Sequence, residues 1–400
     1  MNLDYGTQYD ALRERIRAFI AEHRELAPSD GGVDAPGGLE WQRLLVQHGF
    51  VARSIPVEFG GYGAEPDPLA LRIITESFAR EGLPCGINNQ GISMLAPMLL
   101  ELGDEAQKQQ FIAPTIRGEI YWCQGYSEPN AGSDLASLTT RAHLDGDDWV
   151  INGQKIWTSG AHMADWMFCL VRTDPEATKH AGISFLLLKM DTLGIEVRPL
   201  PTMLVHAKGE AQFNEVFFTD VRVPATQMVS EPGQGWQVAN AILKHERNML
   251  GDPSVTLRRL HALVALMKRE TLDGQRLIDN PVYRDRVMQL SARVQAMLLN
   301  DLRILSCELN GDDPGLAPMV VKWLGTELRH ELEGLGIEIM GELGLLYPDA
   351  KYMRESSWQD YYMYFLGLII GGGTSQIQKN IIGERGLGLP REPRQLERQK

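Results

Sequence analysis

The residues best able to do chemistry in this 400-residue chain fall in a few short stretches. "YSEPNAGSD", residues 126–134, ends in Ala131-Gly132-Ser133-Asp134. Such a small-residue turn can point main-chain N–H groups and a hydroxyl at a phosphate, and it can equally be an ordinary turn. "GQKIWTSG", residues 153–160, follows with an indole flanked by hydroxyls. A tryptophan in a β-hairpin is often just core. "ILKHERNML", residues 242–250, sets Glu246 beside Arg247 in a helical pattern. Near the C-terminus, "GGGTSQ" puts three consecutive glycines, Gly371 to Gly373, ahead of Thr374. A glycine triplet destabilises any helix that contains it, so this is a loop that either caps a helix or lets something approach the backbone.

Several function classes are excluded by composition. The chain is 44% hydrophobic and 23% charged, as in ordinary globular proteins, with enough length for two or three cores. A net charge of −13 argues against a nucleic-acid or anionic-membrane surface and favours a small ligand. Cys85, Cys123, Cys169 and Cys307 are widely spaced with no CxxC, which reads as buried thiols in a reducing compartment, and no metal site is expected. The first residues carry acids and no apolar core of a signal, and the longest apolar run, Tyr361 to Ile370, is far short of a membrane span. A cytoplasmic location is expected.

The elements that must position these residues change period along the chain. From Leu12 to about Ile116 the spacing is helical, with Leu12, Ile16, Phe19 and Ile20 in one stripe. Between about 120 and 225 short runs rich in Val, Ile, Phe and Trp predict strands, with hairpin signals at Asp145-Gly146 and Asn152-Gly153. After "SEPGQGW" helical spacing returns, through Val287 to Leu305 and Val320 to Ile339. The expected class is α+β: an N-terminal α-helical domain at 1–119, a middle β domain at 120–228 and a C-terminal helical bundle at 229–400.

In this order the stretches "PVEFGGYG", "YSEPNAGSD", "INGQKIWTSG", "VFFTDVRVP" and "GTSQIQKNIIGER" resemble the acyl-CoA dehydrogenase family, over nearly the whole chain. The resemblance implies FAD as cofactor, an acyl-CoA substrate and a C-terminal four-helix bundle. It implies electron transfer to an electron-transfer flavoprotein or similar acceptor. Position by position, Gln124, Tyr126 and Ser127 match the strand beside the flavin pyrimidine, and Gly132 and Ser133 match pyrophosphate contacts. Trp157 matches the indole packed beside the isoalloxazine, and Ser159 the hydroxyl that reaches flavin N5. Thr374, Gln376 and Arg269 match residues that meet the FAD of a neighbouring subunit.

Most of the family reads Tyr-Glu-Gly-Thr before the last helix, the glutamate being the base that removes the α-proton. Here that frame is Gly371-Gly372-Gly373-Thr374, so the usual base is absent. Some members carry it instead in a Glu-Arg pair early in the C-terminal domain, which Glu246 and Arg247 match. Gly372 would keep the backbone N–H that meets the thioester oxygen and leave room for an acyl chain bulky near Cα and Cβ. Two frames depart from the family. Arg-x-x-Phe-Gly becomes Arg269 to Gly274 with Leu272 and no phenylalanine, and Gln-x-x-Gly-Gly becomes Glu338 to Glu342. Both would be cross-subunit FAD contacts, so FAD need not bind in every cleft, and "YWCQGYSEPNAGSDLAS" together with "GERGLGLPREP" looks most like the base-bearing subunit of steroid side-chain dehydrogenases, as a homotetramer or an α2β2 heterotetramer with a related chain. The other expectations are a flavin monooxygenase on the same fold, against which Glu246 speaks, and an FAD-poor subunit that completes a partner's site.

Overall fold

The computed structural model describes residues 5–32, 34–203, 211–346 and 357–391, the side chains at 244–250 and 357 excepted. It divides into two compact units, Met1–Thr202 with Glu210–His245, and Met203–Gly209 with Glu246–Lys400.

The first unit opens with helices α1 (Asp10–His23), α2 (Gly38–Gln47), α3 (Pro68–Arg80), α4 (Ala96–Leu102) and α5 (Glu105–Ile116). The stripe read from the sequence is the buried face of α1: Leu12, Ile16, Phe19 and Ile20. Asp67 caps α3 by accepting from the Ala70 N–H, and Pro68 fills the first helical position, where its missing N–H costs nothing. Asp104 and Gln107 form a reciprocal capping box on α5.

An eight-stranded sheet follows: β1 (Trp122–Gly125), β2 (Arg141–Asp145), β3 (Asp148–Lys155), β4 (Trp166–Arg172), β5 (Ile183–Lys189), β6 (Ile195–Leu200), β7 (Phe213–Pro224) and β8 (Met228–Val229). Its order is β6-β7-β3-β2-β4-β5-β8, and β1 runs parallel to β4. Strands β4 and β5 read as unbroken apolar runs because both faces are buried. Phe168, Leu170, Phe185 and Leu187 join the core shared with the helices, while Met167, Cys169, Leu186 and Leu188 enter a second core with Val216 and Val221.

Of the two hairpin signals, Asp145-Gly146 makes the β2–β3 turn, with Asp145 opposite Asp148 and Gly146 at φ 64°. Asn152-Gly153 is not a turn. It lies inside β3, where the register against β7 shifts between Ile151 and Gly153. A Cβ at Gly153 would fall 2.5 Å from Thr140 Oγ1, so glycine serves a close backbone approach there, opposite a bulge whose extra residue lies in β7.

Helix α6 (Gly235–Leu250) runs from the first unit into the second. In the second unit α7 (Pro253–Arg269), α8 (Pro281–Asn310), α9 (Ala317–Ile339) and α10 (Ser357–Ile370) share one core around Leu263, Val294, Leu332 and Trp358, and the short α11 (Ser375–Ile381) follows. Between α7 and α8 a small hairpin, β9 (Thr271–Leu272) with β10 (Gln275–Arg276), turns through Asp273 and Gly274, both at positive φ. Among the described residues no helix is long and apolar enough to cross a membrane.

Candidate active site

Two groups of site residues take shape, one in each unit. In the first, β1 delivers Gln124, Tyr126 and Ser127 to the end of the sheet where β3 delivers Trp157 and Ser159. The Ile156 N–H donates to the Ser127 carbonyl at 2.9 Å, tying the two segments together. Tyr126 is 5% exposed, its ring edge-on to Phe168 and Phe185, so what it can offer a ligand is its main chain. Ser127 and Ser159 are half-buried, and Gly132 and Ser133 are exposed on the turn beyond Ser127.

Trp157 is the exposed aromatic of this group. It is 56% exposed, stands edge-on to Phe213 and holds φ at 59°, a left-handed conformation costly for a bulky residue. Backbone bonds enforce that conformation from one residue on: Thr158 and Asn214 exchange N–H···O bonds of 3.0 and 3.1 Å, and the Asn214 Nδ2 donates again to the Thr158 carbonyl.

The loop between β1 and β2 is held by a buried ion pair absent from the sequence reading. Lys155 Nζ donates to Glu128 Oε1 at 2.8 Å and to the Tyr126 carbonyl at 3.2 Å. The Glu128 carboxylate also accepts from the Thr139 N–H, the Thr139 hydroxyl and the Thr140 N–H. Burial alone would raise the Glu128 pKa, but the charge and hydrogen bond of Lys155, with the threonine bonds, bring it down to about 2. On the far side Arg172 donates to the Leu138 and Ala136 carbonyls. Lys179 pairs with Asp134 at the tip.

These residues fit a flavin nucleotide. The exposed indole suits a planar ring, and the half-buried Ser127 and Ser159 lie on the two segments that meet there. Open space lies where a Cβ of Gly132 would stand, and among the described residues the Gly132 and Ser133 N–H groups donate no hydrogen bond, as a phosphate cradle requires.

In the second unit Gly372 and Gly373 have φ of 63° and 88°, a backbone that L side chains rarely adopt. The triplet therefore does two things: Gly371 ends α10 with an N–H bond of 2.8 Å to the Gly367 carbonyl, and the next two residues reverse the chain into α11. Thr374 caps α11, accepting from the Ile377 N–H at 3.2 Å, and Gln376 is exposed on the first turn. Among the described residues the Gly372 N–H donates to nothing. Lys322, 1% exposed on α9, donates to the Ile369 and Gly373 carbonyls at 3.0 and 2.7 Å.

Arg269 is exposed at the end of α7, bonded to Glu270 at 2.9 Å, and leads into the hairpin that carries Leu272. Glu246 and Arg247 lie in the last turns of α6, and their side chains are outside the described residues. The α7 start beyond them is pinned within the second unit. The Arg329 guanidinium donates to the Asp252 carbonyl and, at 2.9 Å, to Thr256 Oγ1, and a Cβ at Gly325 would fall 3.0 Å from Gly251.

Lys155, Glu128 and Lys322 escaped the sequence reading because a charged residue is ordinarily surface. The available signal was phase: Lys155 is spaced from Trp149 and Ile151 so as to share their buried side of β3.

Comparison with known proteins places the chain in a family. Residues 7–119, 123–221 and 233–387 match the N-terminal, middle and C-terminal domains of acyl-CoA dehydrogenases. Acyl-CoA dehydrogenase IpdE1 of Mycobacterium tuberculosis is 40% identical over 401 residues, 96% of this chain and 98% of that protein. The structure of the Tcur3481-Tcur3483 steroid ACAD superposes with a TM-score of 0.81 at 29% identity, covering 98% of this chain and 100% of that one. The ChsE4-ChsE5 complex from Mycobacterium tuberculosis does so with a TM-score of 0.79 at 31% identity, with 98% and 100% covered. The chain belongs to the acyl-CoA dehydrogenase family, FAD-dependent oxidoreductases that act on CH–CH bonds, and has the family's helical, β and helical domains in order.

Proposed function

We propose that this enzyme α,β-desaturates a bulky, branched or cyclic acyl-CoA thioester, a steroid side-chain thioester being the leading class, with Glu246 as the base. The observation that carries the reading is the backbone at Gly372. The position that holds the usual carboxylate is a left-handed glycine, so the proton acceptor has to come from elsewhere, and the Glu246-Arg247 pair supplies a carboxylate in the family's alternative frame. Glu246 takes the α-proton, the Gly372 N–H bonds the thioester oxygen on which charge develops, and the missing side chain at 372 gives a wide acyl group room. Bound FAD supplies the hydride acceptor at Cβ. Ser127 and Ser159 hydrogen-bond the flavin ring, Trp157 covers its face, and Gly132 and Ser133 hold its pyrophosphate. Arg247 and Gly372 line the thioester end, and electrons pass on to an electron-transfer flavoprotein or similar acceptor.

The three domains are read at 1–119, 120–228 and 229–400. Similarity to the Tcur3481-Tcur3483 and ChsE4-ChsE5 structures, each named for two different chains, together with Leu272 and Glu342 at the departing frames, supports an α2β2 assembly with a related subunit, in which Thr374, Gln376 and Arg269 face a neighbour's FAD.

Glu246→Gln tests the chemistry. The variant should retain flavin, while anaerobic bleaching by branched, cyclic and steroid-linked acyl-CoA thioesters slows by on the order of a thousandfold or more. Unchanged bleaching would place the base elsewhere. Flavin per chain and native mass in the same preparations separate the homotetramer from α2β2.

A further inference from the structure

We infer that Lys322 is a positioning residue for the thioester oxygen, acting through the glycine loop. The inference rests on the reading that the Gly372 N–H meets that oxygen.

Two consecutive glycines at positive φ have little conformational preference of their own, so the direction of the Gly372 N–H must be set from outside. Three bonds set it. Lys322 Nζ bridges the Ile369 and Gly373 carbonyls, one on each side of Gly372. Gln378, 3% exposed, reaches back from α11 and donates from Nε2 to the Gly372 carbonyl at 2.9 Å. One turn along α9 from Lys322, Glu327 accepts from the Ser375 hydroxyl at 2.6 Å and holds the far end of the loop.

Carbonyls on both sides of the free N–H, at Ile369, Gly372 and Gly373, are thus occupied by buried side chains, which hold the peptide planes on either side of the one that carries it. A lysine is suited to the bridge because its head group has three donors and no acceptor, so it can join two carbonyls from one point. A donor held in advance where charge will develop is what stabilises an enolate-like transition state. Lys322 touches neither oxygen nor reacting carbon; it fixes the group that does.

The test is Lys322→Met in the flavin-loaded enzyme, read by steady-state kinetics and by infrared difference spectra of a bound thioester analogue, blocked at Cβ and carrying ¹³C at the carbonyl. In the wild type the carbonyl band should move down on binding. In Lys322→Met it should return toward the free position, with kcat lower by about tenfold to a hundredfold and KM changed far less. Gln378→Met should move the same quantities in the same direction by less. A wild-type band position and kcat in Lys322→Met, with only a lower unfolding midpoint, would show a purely structural lysine and overturn the inference. If Lys322→Met does not fold, an unshifted band in Gln378→Met overturns it. A wild-type band that fails to move on binding would instead sink the assignment of Gly372, and the role of Lys322 with it.

Discussion

Lys155 Nζ stands 2.8 Å from Glu128 Oε1 with both side chains inside the β domain, 0% and 5% exposed, and each partner also holds a main-chain segment of the proposed flavin site. Lys155 takes the Tyr126 carbonyl, just before Ser127, and Glu128 takes the Thr139 and Thr140 N–H groups that close the loop after Gly132 and Ser133. The pair therefore ties the entry and exit of the loop proposed to hold the pyrophosphate to β3. Because no water can replace a missing partner there, Lys155→Met or Glu128→Leu should each cost about 3–5 kcal/mol in urea unfolding of the flavin-free protein, and the double variant less than the sum of the two. Additive losses would show that the two groups do not act as a pair.

The same pair predicts an acid limb. The Glu128 carboxyl titrates at about 2 when folded, below its ordinary 4.5, so the pair's contribution is fully present above 4.5 and lost as pH falls from there toward 2. That difference corresponds to about 3 kcal/mol. Unfolding free energy measured between pH 6 and pH 3 should fall less steeply in Glu128→Gln than in the wild type. Parallel slopes would remove Glu128 from the account.

At Trp157 ring and backbone make separate predictions. The left-handed backbone penalises any L residue, so Trp157→Ala should unfold about 1 kcal/mol more easily than Trp157→Gly in the flavin-free protein. Both variants lose the platform, so both should release flavin at least about tenfold more readily than the wild type, as expected when a stacking partner is removed. A ring that instead serves the core would show as Trp157→Gly falling more than about 2 kcal/mol below the wild type.

Much of the fold was legible because period and burial agree. The α1 stripe and the double-sided apolar runs of β4 and β5 are signals that one core forces on a sequence. Asn152-Gly153 misled because the same dipeptide that makes a tight turn also permits a close backbone approach inside a strand, and the packing of Thr140 against Gly153 is a contact between positions 13 residues apart that no local pattern shows. The Asp273-Gly274 hairpin was passed over for the opposite reason: its strands are only two residues each, too short for any alternation to appear. At the site, the identities of Trp157 and Ser159 were readable but their exposure was not. The buried charges were hidden altogether, since Lys322 meets its acceptors 47 and 51 residues away.

Gly372 carries the last prediction. A glutamate placed there would stand at the family's usual base position, and on sequence alone it should restore turnover to an enzyme stripped of Glu246. The backbone says otherwise. At φ 63° any Cβ meets the following carbonyl, a cost of about 1–2 kcal/mol, and relieving it by rotation would pull the Gly372 and Gly373 carbonyls from Gln378 and Lys322. Gly372→Ala and Gly372→Glu should therefore lose similar stability, about 1–2 kcal/mol, in denaturant unfolding, because the backbone rather than the carboxylate sets the loss. Gly372→Asn should lose less, since asparagine tolerates the left-handed region. In a Glu246→Gly background, Gly372→Glu should leave thioester-driven bleaching within about tenfold of the base-less variant, because a carboxylate aimed by a strained and loosened loop lacks the alignment that proton abstraction needs. Recovery to near wild-type rates on an unbranched thioester, with stability unchanged, would mean that the loop adapts freely and that its glycines are not what excludes a base at this position.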